Sequence, residues 1–247
     1  MWAKRAGSAF AALEAARSEA EAFDALLDYA RIVGADLVSY HHVAPAYAAR
    51  AENFSLLASG FPADWVDHYQ RNKLHRIDPI VAYTAYRTRP VLWSEVPARS
   101  RLTPEQSEYM TALYDWLAPG DGLAVPAFGP SGRHGYFGVG WREPLARWSG
   151  AQIRTLQAIC ESFHLRYCEL RLESLDKDFE LTEREFKIVE GMVRGWADAM
   201  IGATVGLRPD ALRSALQRVL VKMGVTDRPS AVLRARALGL VADRAED

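Results

Sequence analysis

The residues whose types and spacing best suit the binding of a ligand lie between Phe61 and Trp93. Trp65 and Tyr69 are four residues apart in the segment FPADWVDHYQRNKLHRIDPI, so they share one face of a predicted helix. Asp78 follows shortly afterwards. An indole N–H can donate one hydrogen bond, a carboxylate can accept from an amide N–H, and aromatic rings supply apolar walls. These residue types together indicate a pocket for a small ligand.

Each of these residues also has a purely structural explanation. Asp78 directly precedes Pro79, which is the pattern of a helix N-cap followed by proline at the first helical position. Trp65, Tyr69 and Trp93, taken singly, are typical of an ordinary aromatic core. Both explanations stay open at the level of the sequence.

Patterns for catalysis or metal binding are missing from the sequence. Ser131 lies in GPSGR, which is a turn rather than a nucleophile elbow. His41 and His42 are adjacent in a predicted strand, so their side chains point to opposite faces and cannot share a metal ion. His68, His75 and His134 have no ligand partners at suitable spacing. We therefore expect no catalytic residues, no metal site, no cofactor and no enzymatic activity.

The elements around this constellation predict an α+β domain over residues 1–174. Long helical patterns alternate with short strands joined by hairpins, which favours an antiparallel sheet between helices, an α-β-α sandwich. Gly129, Gly132 and Gly135 mark one hairpin. The predicted helices are 10–32, 62–72, 79–87, 104–117 and 149–174, and the predicted strands are 36–43, 54–58, 122–128 and 135–141.

The segment 181–247 predicts a separate all-α domain of four helices, joined by a polar linker at 175–180. Thr182 and Glu185 form a capping box at the start of the first helix. Gly206 supplies a left-handed turn after a short second helix at 198–205, and Pro209 suits the first turn of the third. The fourth helix is expected at 229–238. This order and tight turn are typical of a DNA-binding helix-turn-helix.

Composition and charge agree with this division. Residues 181–241 contain ten Lys or Arg against six Asp or Glu, although the chain as a whole carries −1. A basic module on an acidic body favours phosphate binding, and simple solvation of a helical surface is the alternative. No run approaches eighteen apolar residues, and no signal-peptide core is present, so we expect a cytoplasmic protein. Cys160 and Cys168, about 12 Å apart on one predicted helix, are too distant for a disulfide.

Residues 35–241 resemble the LuxR-type quorum-sensing regulators, which join an autoinducer-binding domain to a helix-turn-helix. The C-terminal matches are LTERE from Leu181, Gly195, Ile201, Val205-Gly206-Leu207, Lys222 to Val225, and Ala231-Val232. The N-terminal matches are Pro62, Trp65, Tyr69, Asp78-Pro79, Trp93 and Gly122.

This resemblance implies an N-acyl-homoserine lactone as ligand. Trp65 would donate to the lactone carbonyl, Asp78 would accept the amide N–H, Tyr69 and Trp93 would form walls, and Gly122 would allow close backbone approach. The remaining implied ligand contacts are Phe61, Val81, Tyr109, Leu113 and Gly138. The implied partners are a palindromic promoter DNA and a second copy of the chain, with helices 149–174 and 229–238 as the expected self-contacts.

Two departures from the family pattern concern the ligand. Phe61 stands where tyrosine is common, and Gly138 stands where many members place serine or threonine. Both family hydroxyls reach the acyl carbonyl. We therefore predict that water or another donor holds this carbonyl, or that the acyl group is bulky.

Further departures concern DNA. Ala197, Ala199 and Met200 replace the usual polar start of the second helix, and Ala215 replaces a polar residue in the third. The contact set that remains is Arg208, Arg213, Ser214, Gln217 and Arg218, with Lys222 expected at phosphate. A regulator that acts by sequestering a homologous regulator in a heterodimer is the alternative. A lactone hydrolase is a third hypothesis, without a nucleophile or metal set to support it.

Overall fold

The computed structural model describes residues 2–43, 54–85, 87–117, 120–129, 133–142, 148–175, 181–237 and 240–241. The chain divides into two compact units: residues 1–43, 54–129 and 134–170 form the first, and residues 171–247 belong to the second. Strands and helices mix in the first unit, whereas every regular element that begins in the second is helical. The predicted fold class is confirmed.

The sheet of the first unit has the strand order β2-β1-β5-β4-β3, with antiparallel pairing throughout. The strands are β1 (Leu37–Val43), β2 (Phe54–Ser59), β3 (Val91–Leu92), β4 (Asp121–Phe128) and β5 (His134–Trp141). The helices are α1 (Trp2–Ala15), α2 (Glu19–Ile32), α3 (Ala63–Arg71), α4 (Pro79–Thr84), α5 (Glu95–Arg99), α6 (Pro104–Leu117) and α7 (Gly150–Leu175).

Alternate residues of the central strands face two different layers of helices. Tyr40 and Phe137, paired across β1 and β5, belong to a buried cluster with Phe163 of α7 and residues of α1 and α2. Tyr136, the neighbour of Phe137, instead joins a second cluster with residues of α3 to α6. The period of two along a strand produces this separation, because successive side chains point to opposite sides of the sheet.

The helices of the second unit are α8 (Glu183–Val193), α9 (Asp198–Val205), α10 (Pro209–Lys222) and α11 (Arg228–Ala237). The capping box is present: Glu185 N–H donates to the Thr182 hydroxyl at 3.3 Å, and Thr182 N–H donates to the Glu185 carboxylate at 2.9 Å. Gly206 adopts φ +66° at the end of α9, as predicted. A single buried cluster that includes Ile188, Ile201 and Val219 holds these helices together.

Several predicted boundaries were wrong. The expected helix 10–32 is two helices, because the Ser18 hydroxyl accepts from Glu21 N–H at 3.1 Å and starts α2 afresh. The helix expected to reach residue 87 ends at Thr84, and β3 and α5 were not predicted. Their shortness left too little periodicity to detect. Residues 130–132 of the predicted hairpin and residues 176–180 of the predicted linker lie outside the described residues.

Cys160 and Cys168 are both buried and are not joined by a disulfide, as their spacing predicted. Burial raises the pKa of the Cys160 thiol, and the neighbouring Glu161 charge adds to the effect. Within the described residues, no helix combines the length and the apolar character needed to cross a bilayer.

Candidate ligand-binding site

A cavity lies between one face of the sheet and helices α3, α4 and α6, with about 420 Å³ of space that is not filled by atoms and is partly open to solvent. The character of its lining is that of a small-molecule site. The lining combines apolar and aromatic walls with a few polar side chains. The lining residues are Ser39, His41, Leu56, Ala58, Phe61, Trp65, Val66, Tyr69, Asp78, Ile80, Trp93, Tyr109, Leu113 and Tyr136.

Asp78 is the acidic residue among the cavity-lining side chains, and it is 3% exposed. Its Oδ1 accepts from Ile80 N–H at 2.8 Å and from Val81 N–H at 3.4 Å, so it caps helix α4. Its Oδ2 accepts from the hydroxyls of Tyr69 at 2.9 Å and Tyr109 at 2.8 Å. Capping and a place in the cavity therefore coexist, because a carboxylate has two oxygens with separate partners.

Burial raises the pKa of the Asp78 carboxyl above its ordinary value, since desolvation penalises the charged form. Hydrogen bonds from the two tyrosines and the two amides act in the opposite direction. Burial, followed by the charge of Asp78, raises the pKa of both Tyr69 and Tyr109 well above the ordinary value. The two phenols therefore stay protonated and serve as donors to the carboxylate.

The helical wall contains most of the predicted contacts. Trp65 and Tyr69 lie one turn apart on α3 and are both 4% exposed, as their spacing required. The Trp65 ring lies 6.2 Å from that of Tyr109, which is on α6 one turn before Leu113. Phe61 precedes α3 and also lines the cavity. The structure thus brings these residues to one site from separate parts of the chain.

Trp93 rests on a platform of glycines. A Cβ built at Gly122 would lie 2.5 Å from the Trp93 ring, one at Gly140 3.0 Å from it, and one at Gly138 3.1 Å from it. The absence of side chains therefore makes room for the indole. Trp93 is the close neighbour of Gly122, and neither Gly122 nor Gly138 is among the lining residues. A close approach of the ligand to Gly122 stays a prediction.

Val81, another predicted contact, is not among the lining residues either. It is half-buried and packs against the apolar cluster that includes Trp65, Ile80 and Tyr109. Its amide, rather than its side chain, reaches the site through Asp78. The cause is its position on α4, one residue after Ile80, whose side chain does line the cavity.

His41 is a cavity residue that sequence reasoning set aside. Its Nε2 lies 3.2 Å from the Ser39 hydroxyl, and its Nδ1 makes a long contact of 3.5 Å with the Tyr69 hydroxyl. Burial lowers the pKa of His41 to about 3, and the nearby His75 contributes in the same direction, so the ring is neutral. As predicted, His42 is on the other face, where its ring contacts Tyr167 at 5.3 Å.

The other unpredicted lining residues come mainly from the sheet. Ser39 and Tyr136 are polar members of this group, and both are 6% exposed. Strand alternation would have placed them on one face with His41, but the sequence did not say which face borders a cavity. Leu56, Ala58, Val66 and Ile80 complete the group.

In the helical unit, five predicted DNA contacts are exposed on or beside α10. Four of them are spaced to cover one broad side of the helix, and Arg208 is the residue at its N-cap. The exposed set is Arg208, Arg213, Ser214, Gln217 and Arg218. Leu212 and Ala215 face the apolar core instead.

Lys222 differs from this set. It is half-buried, and its ammonium donates to the Glu185 carboxylate at 2.6 Å. This ion pair joins the end of α10 to the capping box of α8. A contact between Lys222 and phosphate stays a prediction, and it would have to compete with Glu185.

The described residues contain no group of three or more His, Cys, Asp or Glu side chains arranged to hold a metal ion. The candidate site is a cavity with apolar and aromatic walls and a few polar side chains, in a chain that also contains a helix-turn-helix unit. This combination defines a class: ligand-binding regulators with a helical DNA-binding module.

Comparison with known proteins makes the class specific. A family model described as "Autoinducer binding domain" matches residues 18–167. The transcriptional activator PhzR of Pseudomonas fluorescens is 24% identical over 192 residues, 73% of each chain. The quorum-sensing-dependent regulator RpaR of Rhodopseudomonas palustris is 24% identical over 185 residues, which cover 75% of this chain and 74% of RpaR. The chain belongs to the autoinducer-binding family of LuxR-type quorum-sensing transcription regulators.

Solved structures agree on the fold. Escherichia coli SdiA matches with a TM-score of 0.68 at 15% identity, over 96% of this chain and 98% of SdiA. CepR2 of Burkholderia cenocepacia matches with a TM-score of 0.50 at 19% identity, over 66% of this chain and 90% of CepR2. The predicted resemblance is confirmed.

Proposed function

We propose that the cavity binds an N-acyl-homoserine lactone or a related small amide, and that ligand binding controls recognition of promoter DNA by the helical unit. The observation that carries the proposal is the buried carboxylate of Asp78 among aromatic walls. Relatives support it, since CepR2 is described as an N-acylhomoserine-lactone-dependent LuxR family transcription factor.

Asp78 is the acceptor for the ligand's amide N–H. A hydrogen bond between a desolvated carboxylate and a neutral amide contributes about 1.5–3 kcal/mol. Tyr69 and Tyr109 hold Oδ2 from two sides, so the carboxylate is fixed before the ligand arrives. Oδ1 has one good partner, Ile80 N–H, and one weak partner, Val81 N–H at 3.4 Å. The ligand amide replaces this weak contact or joins it.

Trp65 donates its indole N–H to the lactone carbonyl of the ligand, whereas Asp78 binds the amide. Its place on α3, one turn before Tyr69, puts the ring against the same cavity. Trp93, Phe61 and Leu113 supply apolar surface for the rest of the ligand. Their burial follows the pattern of small-molecule sites, in which few polar groups fix orientation and apolar walls supply most of the contact area.

The ligand acts through the stability or arrangement of the chain. A molecule that binds only the folded state stabilises it by an amount that rises with the logarithm of its concentration relative to Kd. The walls of the cavity lack the contacts that a packed core has, so a ligand that occupies it adds contacts that the unliganded first unit does not make. Two chains then bind a palindromic site, since paired half-sites raise specificity.

The test is coexpression of the full chain with candidate lactones, followed by mass spectrometry of the copurified small molecule. The panel is N-butanoyl-, N-octanoyl- and N-benzoyl-homoserine lactone, with octanoyl-rac-glycerol as a competing ester, because SdiA has been crystallised with that compound. Recovery of a lactone supports the proposal. Recovery of the ester alone, or of nothing, contradicts it.

Asp78→Asn provides the matched test of the site. We expect the variant to lose about ten- to a hundred-fold in lactone affinity, because the amide group of asparagine turns half of the acceptor into a donor. Asp64→Asn, which changes an exposed carboxylate of α3, is the control. Equal affinity of wild type and Asp78→Asn would sink the assignment of Asp78.

DNA recognition is tested on α10. Arg213→Ala should weaken promoter binding by about 1–3 kcal/mol if the guanidinium contacts a base edge. Arg184→Ala, at an exposed position on α8, is the control. An electrophoretic shift unchanged by Arg213→Ala would remove this residue from the contact set.

A second function is favoured by a specific observation in the helical unit. The N-caps of α9 and α10 are Ala197 and Arg208, and neither side chain caps its helix, while Met200 on α9 is 54% exposed. A surface with few polar donors suits a regulator that sequesters a homologous regulator in a heterodimer. Binding to neither promoter nor random DNA, together with copurification of a homologue, would favour this function over the first.

A further inference from the structure

The sheet side of the cavity contains hydroxyl groups close to Gly138. A Cβ built at Gly138 would lie 2.6 Å from the Ser39 hydroxyl oxygen and 3.2 Å from the Tyr136 hydroxyl oxygen. Register explains the convergence, since Ser39 is the cross-strand partner of Gly138, and Tyr136 precedes Gly138 by two residues on the same face of β5. Glycine at position 138 thus lets the two hydroxyls approach this part of β5 more closely than a larger residue would allow.

Most hydroxyl protons around the cavity already have acceptors. Tyr69 and Tyr109 each donate their single proton to Asp78. The Tyr69 oxygen can then only accept from His41, which places the ring proton of neutral His41 on Nδ1. His41 Nε2 is therefore an acceptor, and it takes the proton of Ser39 at 3.2 Å. A continuous series of hydrogen bonds therefore runs from Ser39 through His41 and Tyr69 to Asp78.

Tyr136 is not part of this series of hydrogen bonds. Within the described part of the protein, its hydroxyl donates to no acceptor. The indole N–H of Trp93 is close enough to the Tyr136 oxygen to oppose the rise in its pKa, which burial and the charge of Asp78 cause. That N–H makes no hydrogen bond of normal geometry to any described residue. An N–H facing the phenol oxygen favours a rotamer of the O–H that points away from Trp93, and the Tyr136 side chain lines the cavity.

We propose that Tyr136 donates the hydrogen bond to the acyl carbonyl of the ligand, in place of the hydroxyl side chains that Phe61 and Gly138 lack. This inference rests on the proposed function. Asp78 on the helical wall accepts the amide N–H, and Tyr136 on the sheet wall donates to the carbonyl of the same amide. The site thereby recognises a secondary amide from both sides, because the N–H and C=O of a trans amide point in opposite directions.

The experiment measures lactone affinity of the purified full chain by calorimetry. The probe is the tightest binder among N-butanoyl-, N-octanoyl- and N-benzoyl-homoserine lactone, compared with its thioamide, in which sulfur replaces the acyl carbonyl oxygen. We expect Tyr136→Phe to weaken the oxygen ligand about 3- to 10-fold, the effect of one neutral hydrogen bond. Tyr40→Phe, which removes a buried hydroxyl on the opposite face of β1, is the control and should leave affinity unchanged.

The thioamide separates a hydrogen bond from a packing effect. Sulfur is a weak acceptor, so it should cost the wild type affinity but cost Tyr136→Phe much less, a non-additive result. Equal losses for both proteins would overturn the proposal, since Tyr136 would then act by packing alone.

Ser39→Ala tests whether the Ser39 hydroxyl donates to His41, as inferred above, or to the acyl carbonyl of the ligand. A loss larger than that of Tyr136→Phe would assign the carbonyl to Ser39 and overturn the proposal. Where Tyr136→Phe fails to fold, Gly138→Ala replaces it: the added methyl group would lie 2.6 Å from the Ser39 oxygen and 3.2 Å from the Tyr136 oxygen, so both hydroxyls must shift, and undiminished lactone affinity would contradict the proposal. Failure of every lactone to bind wild type would instead remove the proposed function itself.

Discussion

The two faces of the sheet are built from alternate residues of the same strands, yet one face is filled and the other borders a cavity. On the filled face, Tyr40 and Phe137 pack at 4.7 Å between ring centroids and contact Phe163 of α7. On the cavity face, the partners at the same level are Ser39 and Gly138. At this level of the sheet, two large residues fill one face, and two small residues leave room beside the cavity on the other.

Polarity follows the same division. The cavity face and its helical wall contain a continuous set of polar contacts from Ser39 through His41 and Tyr69 to Asp78. Buried polar groups cost free energy unless they have hydrogen-bonding partners. In a pocket, that cost is offset when a ligand supplies the missing partners. The cavity face is therefore specialised for binding at the expense of packing.

The strongest test of the filled face is Phe137→Ala. This side chain is fully buried between Tyr40 and Phe163, so we expect a loss of about 3–5 kcal/mol in the free energy of unfolding. Chemical denaturation of the full chain measures it. Leu56→Ala, which borders the cavity, should cost less because its side chain has fewer neighbours; an equal or larger cost would contradict the contrast between the faces.

Gly122→Ala tests the platform under Trp93. The new methyl group would lie 2.5 Å from the indole, so the ring must move into the cavity. We expect a loss of about 1–3 kcal/mol in stability, typical of overpacking, and weaker lactone binding. Gly7→Ala on α1, where an added Cβ meets nothing within 4 Å, is the control. Unchanged Trp93 fluorescence and affinity would refute this role of Gly122.

Ala58→Leu fills part of the cavity with a larger apolar side chain. Ala58 is on β2 opposite Ser39 and lines the cavity, so a larger apolar side chain would occupy the space of the ligand. We expect the unliganded protein to gain about 0.5–2 kcal/mol in stability and to lose lactone binding. Thermal unfolding with and without lactone measures both effects. Retained stabilisation by lactone would mean that the ligand binds elsewhere.

His41→Gln gives the smallest expected effect, a change in the pH dependence of stability. The pKa of His41 is lowered from 6.5 to about 3 by burial, so its contribution to stability is present above pH 6.5 and is lost as the pH falls toward 3. The free energy of unfolding should therefore decline less steeply over this range in the variant. His68→Gln, an exposed position on α3, is the control; identical slopes for His41→Gln and wild type would exclude His41 as a source of acid sensitivity.

Much of the site could be predicted from local patterns. The four-residue spacing of Trp65 and Tyr69 fixed their common helix face, and Asp78 before Pro79 fixed a capped helix start. The pairing of Asp78 with Tyr109 could not be predicted, because the two residues are 31 positions apart and meet only after α6 packs over the cavity. The same is true of Trp93 and the glycines of β4 and β5, which are neighbours only across the folded sheet.

Local patterns along the chain were enough to identify the family, the mixed and the helical domain, and the residues of the helical wall, since helix periodicity and capping act over a few residues. Which face of the sheet borders the cavity depended on long-range packing. That packing brought Ser39, His41 and Tyr136 into the lining, whereas Gly122, Gly138 and Val81 are not among the lining residues. Strand alternation divides side chains into two sets but cannot say which set meets empty space, because that depends on the volume of helices packed from distant segments.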